Sequence, residues 1–148
     1  MAGLLTGNIR HKVDDKNRTR IPAKFKEALS GTLYFVPTEK DCILVLPEYR
    51  AIDLMEKSRA NISVFDSEGQ DSQTLIFSHT YEIKEDTQGR ITIPSDLKKM
   101  ARIDKEVVFV GKLDHIEIWA AETWDRRFSI LDKENLAQMI KRLKNYGL

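Results

Sequence analysis

Two aspartate–arginine pairs hold the chemistry of this 148-residue chain. Asp14 precedes Arg18 by four positions, and about seventy residues later Asp86 precedes Arg90 at the same interval. A carboxylate so placed can hold a guanidinium still while its planar fork meets an outside acceptor. Around the first pair Arg10, Lys12, Lys16, Arg18, Arg20, Lys24 and Lys26 stand against only Asp14 and Asp15. Around the second, Lys84, Arg90, Lys98 and Lys99 are offset by Glu82, Glu85, Asp86 and Asp96. The net charge is only +1, so affinity for a polyanion must come from the first, local patch.

Catalysis finds little support in the same residues. Asp14 and Asp15 fall on a hairpin tip where water screens them, and no glycine-rich phosphate loop or nucleophile elbow is present. His79 and His115 lack metal-ligand spacing, and Cys42 is alone in an apolar run, as a buried thiol would be. The expectation is a protein that is not an enzyme and holds neither a metal nor another cofactor.

The elements that position the pairs follow from local pattern. Ile9, His11 and Val13 alternate with Arg10, Lys12 and Asp14, the period-2 signature of a strand. Asn17 and Gly89 occupy matching positions, and both residue types tolerate positive φ. That predicts three-residue loops at 15–17 and 87–89, with Asp14 facing Arg18 and Asp86 facing Arg90 across each hairpin. The same register sets Lys12 opposite Arg20, a repulsion that a bound polyanion would relieve. Pro22 and Pro94 sit where short helices would begin. Each copy therefore opens strand, tight loop, strand, helix, and such a repeat implies two versions of one unit.

The rest of the chain extends that plan. Strands are expected at 32–36 and 42–46, then a helix from Pro47 to about Arg59 with Tyr49, Ile52 and Met55 at helical spacing. Residues 1–60 form the first unit, 61–77 a linker with a short helix near 72–77, and 78–148 the second unit. In that second unit strands are expected at 81–85, 90–93, 107–110 and 115–119. Helical stripes follow, first Trp124, Phe128 and Leu131, then Leu136, Met139, Ile140 and Leu143. Such a stripe needs a partner, either the chain's own sheet, which is favoured, or a neighbouring subunit.

The run His11-Lys12-Val13-Asp14-Asp15-Lys16-Asn17-Arg18, followed by Ile21-Pro22-Ala23-Lys24-Phe25, resembles the signature of the MraZ family of bacterial transcriptional regulators. Two departures stand out: Asn17 replaces a usual glycine, and Thr19 replaces a usual aliphatic residue and loosens the inner face. The resemblance implies an α+β fold of two tandem swapped-hairpin, AbrB-like β-barrel units with short helices and a C-terminal helical segment. It also implies a ring-like homo-oligomer binding tandem short boxes in double-stranded promoter DNA. Repression of its own operon in the division and cell-wall gene cluster would follow. The alternative is a protein-interaction or antitoxin-like assembly module with only non-specific DNA affinity.

On this reading Arg18 makes the decisive contact, to a guanine edge or a phosphate. Lys16, Arg20, Lys12 and Arg10 mostly meet phosphates, with Asn17 and Lys24 at the margin, while Asp14, Asp86 and Arg90 orient the motifs. Hydrophobic content of 41% and charged content of 32% describe a folded chain, not a disordered one. No apolar run reaches the roughly 18 residues of a membrane span, and residues 1–5 lack a secretory pattern. The expected location is the cytoplasm and nucleoid.

Overall fold

A computed structural model describes residues 4–148; the expectation for residues 1–5 falls largely outside that span. In chain order the elements are β1 (Asn8–Lys12), β2 (Arg18–Thr19), α1 (Ala23–Ala28), β3 (Leu33–Pro37), β4 (Cys42–Pro47) and α2 (Glu48–Asn61). Then come α3 (Ser67–Ser78), β5 (Tyr81–Ile83), β6 (Ile91–Thr92), α4 (Ser95–Met100), β7 (Glu106–Lys112), β8 (His115–Ala120), α5 (Ala121–Arg127) and α6 (Lys133–Lys144). Six strands form one antiparallel sheet in the order β1-β7-β8-β4-β3-β5, and β2 pairs β6 in a separate ribbon.

This pairing corrects the expected barrels. Among the described residues the six-stranded sheet is open, and strands of the two sequence copies interleave in it. Strand β1 pairs with β7, so Lys12 faces Glu106 and not Arg20. The reason is local. The chain reverses through Asn17 at φ 62° and leaves β1 for β6, keeping only turn bonds such as Asp14 N–H to Arg18 O at 2.9 Å. Side chains bridge the remaining gap: Thr19 Oγ1 donates to Lys12 O at 2.8 Å, and His11 Nδ1 lies 2.7 Å from Arg20 O. The repulsion inferred between Lys12 and Arg20 therefore does not arise.

Alternation decides what faces the core. Thr19, Ile21, Ile91 and Ile93 turn inward from the ribbon and its continuation, and all are buried. They meet Phe35, Val45, Phe109 and Ile118 of the sheet, with Phe25 from α1 and Leu97 from α4. Helices of six residues are too short to persist alone. Complete burial of Phe25, at about 1.5–3 kcal/mol for such a side chain, holds α1 in place. Both short helices start one residue after a proline, Pro22 or Pro94. The ribbon is thus clamped onto the sheet with its other face outward.

The helices depart from expectation in two places. Helix α3 spans Ser67–Ser78, longer than the expected 72–77, because Asp66 caps it by accepting from Gly69 N–H at 3.0 Å. The C-terminal stripe is split. Phe128 packs edge-on to Trp119 with ring centroids 5.0 Å apart, whereas α6 has no buried residue. The favoured packing of that stripe against the chain's own sheet is not what the structure shows. Likewise Tyr49 and Ile52 of α2 face outward, and Ala51 is the residue it buries.

Candidate nucleic-acid interface

Each loop is built by one carboxylate. Asp14 Oδ1 accepts from the amides of Lys16 at 3.0 Å and Arg18 at 2.8 Å, and its Oδ2 accepts from Arg18 Nε at 2.8 Å. Asp86 repeats this, with Gln88 N–H and Arg90 N–H at 2.9 Å and Arg90 Nε at 2.8 Å. The left-handed residue that closes each loop is Asn17 in one and Gly89, at φ 75°, in the other. Because Nε is the bonded atom, the terminal nitrogens of each guanidinium point away from the carboxylate.

Hydrogen bonding to the charged form sets the carboxylate chemistry. Asp14 is held below the ordinary carboxylate range, first by the Arg18 amide and then by its guanidinium and the Lys16 amide. Asp86 is lowered in the same direction, led by the Arg90 amide. Both acids stay ionised at neutral pH, so each guanidinium keeps its anchor.

The ribbon brings the two motifs together. Arg18 pairs with Thr92, and Thr19 with Ile91; one step further the same register sets Arg20 beside Arg90. Since successive side chains alternate, Arg18, Arg20, Arg90 and Thr92 share the outward face while their neighbours fill the core. Arg20 Nη1 donates to Gln88 O in the opposite loop. Ile93 N–H donates to Asn17 O at 2.8 Å, and Lys98 Nζ to Asn17 Oδ1 at 2.8 Å. Each copy's loop is therefore tied down by the other copy. A two-stranded basic ribbon is a shape that enters a DNA major groove.

Comparison with known proteins agrees with this geometry. A family model described as "MraZ protein, putative antitoxin-like" matches residues 76–146. A protein named Transcriptional regulator MraZ from Saccharopolyspora erythraea is 35% identical over 82% of this chain and 84% of its own length. The chain belongs to the MraZ family. Proteins of that name from Clostridium tetani and Desulforamulus reducens are also similar. The first is 32% identical over 95% of this chain and 99% of its own length. The second is 31% identical over 83% and 86%.

Within this MraZ-family chain the residues singled out from the sequence fall into two groups. Arg18, Arg20, Lys16 and Asn17 gather on the ribbon and its first loop, with Asp14, Asp86 and Arg90 beside them. Arg10 does not join them: it alternates to the other side of β1 from His11 and pairs with Asp125 at 2.6 Å. Lys12 lies on that same side, next to Glu106. Lys24 is exposed on α1 and donates to Thr6 O at 3.2 Å; its neighbour Lys26 pairs with Glu85 at 2.9 Å. Thr92 and Lys98 were missed, since only the pairing of strands far apart in sequence reveals them.

Proposed function

We propose that this chain is a sequence-specific DNA-binding transcriptional regulator that reads duplex DNA with its β2–β6 ribbon. The observation that carries the proposal is the duplicated cradle: two arginines, each fixed at Nε by an aspartate, on the outward face of one ribbon. Three relatives carry the name transcriptional regulator, which supports the reading. Arg18 makes the decisive contact, with a guanine edge or a phosphate, and Lys16 and Arg20 meet phosphates. Arg90 belongs on the same surface, because the ribbon places it beside Arg20. Asp14 and Asp86 hold the two guanidinium groups, and Lys12, Arg10 and Lys24 lie at the periphery.

A single ribbon is a small footprint. Specificity then comes from several copies in a ring-like homo-oligomer reading tandem short boxes at once, which raises effective concentration at the second box. Repression of the chain's own operon in the division and cell-wall cluster, in the cytoplasm and nucleoid, completes the proposal. Among the described residues no helix is long and apolar enough to cross a membrane.

The test is fluorescence anisotropy on the upstream duplex and a shuffled duplex at two salt concentrations. The intact protein should prefer the upstream duplex at both salts. Arg18→Ala should weaken specific binding by about 1–3 kcal/mol, as for a lost bidentate base contact, with an unchanged thermal midpoint. Equal, salt-sensitive binding to both duplexes would reduce the ribbon to a generic polyanion surface.

A further inference from the structure

We propose that α6 of one copy docks in the groove beside α3 of a neighbouring copy, giving a head-to-tail contact between chains. This rests on the oligomeric part of the function proposed above and is independent of the DNA contact. Helix α6 presents Leu136, Met139, Ile140 and Leu143 at spacings of three and four, all exposed. An apolar stripe of that width is the face a helix turns toward a partner. Around it stand Lys133, Lys141, Arg142 and Lys144 against one acid, Glu134.

The complement lies on α3. Residues 60–83 contain Asp66, Glu68, Asp71 and Glu82 and not one lysine or arginine. A groove of about 460 Å³ runs between α3, α4 and the end of β3, floored by Leu75, Ile76, Met100 and Pro37 and edged by Glu39 and Asp96. Asp96 is held in place by Tyr81 Oη at 2.6 Å and His79 Nδ1 at 2.7 Å. Leu75 and Ile76 are 64% and 41% exposed, apolar surface on an acidic rim. A basic helix with an apolar stripe matches it in both polarity and charge, and opposite fields also fix register. Because donor helix and acceptor groove are different surfaces, the contact is heterologous and closes into a ring if the rotation permits.

Sedimentation of the full chain, combined with disulfide trapping, tests this. Ile76→Cys and Met139→Cys are prepared as separate proteins and mixed under mild oxidant. Cys42 does not interfere: it is buried and its thiol is pushed up to about 11 by desolvation. A covalent dimer that forms in the mixture and is at least tenfold scarcer in either protein alone supports the contact. Trapping in Met139→Cys alone at the level of the mixture would mean α6 packs on α6 and overturn it. An intrachain bond in a monomeric double variant would assign the groove to the chain's own α6 and also overturn it. Met139→Asp and Leu75→Arg should each shift the oligomer toward monomer. A wild-type oligomer unmoved by both would overturn the α6–α3 contact while leaving the oligomer standing. A wild-type monomer would overturn both, whereas failure of specific DNA binding would touch only the regulator reading.

Discussion

Asp14 and Asp86 do more than neutralise an arginine, because each also accepts two backbone amides and so defines its loop. Their lowered proton affinity has a direction in stability. A carboxylate depressed by folding contributes stability above its unfolded value, near 3.9 for aspartate, and loses it as pH falls through the lower folded value. Urea midpoints for the intact protein should therefore hold from neutral pH to about pH 4 and fall below it. Asp86→Asn should be less stable at pH 7, and the two curves should converge in acid; parallel curves would show that Asp86 has no such role. The spacing of these pairs and the left-handed turn at Asn17 were legible in the sequence, since both are local. The bonds from Arg20 to Gln88 and from Lys98 to Asn17 were not, because no local pattern joins residues so far apart.

At the scale of elements, β2 shows why the expected hairpin register failed. It has two residues, too few to compete with β7 for the edge of β1, so the polar groups between β1 and β2 are satisfied by side chains. Thr19 takes that part: it is 4% exposed and donates to Lys12 O. Read alone, a threonine among aliphatic residues looks like a defect of the inner face; in place it ties the ribbon to β1. Thr19→Val keeps the shape and leaves the Lys12 carbonyl without this donor, at a cost of about 1–3 kcal/mol if that group is cut off from water. A chemical-denaturation midpoint unchanged within 0.5 kcal/mol, the ordinary scatter for surface substitutions, would return Thr19 to the status of a tolerated polar residue. Helix α3 was half legible, because its apolar end showed a pattern while its capped start is polar.

Across the whole molecule, the sequence repeat correctly shows two related segments and is silent on how they combine. Periodicity reports which face of a strand is apolar, and it cannot say which distant strand covers it. Here β1 of the first copy pairs β7 of the second, β3 pairs β5, β4 pairs β8 and β2 pairs β6. One apolar cluster takes Phe25 and Phe35 from the first copy and Leu97, Phe109 and Ile118 from the second. Neither copy can bury its own apolar faces alone, so separation would expose side chains worth about 1.5–3 kcal/mol each against a net stability of only about 5–15 kcal/mol. The intact chain should therefore unfold in one transition, with tryptophan fluorescence and far-ultraviolet circular dichroism giving the same midpoint. Fragments 1–60 and 78–148 should each be largely unstructured alone and recover strand signal on mixing. A fragment 1–60 that unfolds cooperatively by itself would refute this interdependence.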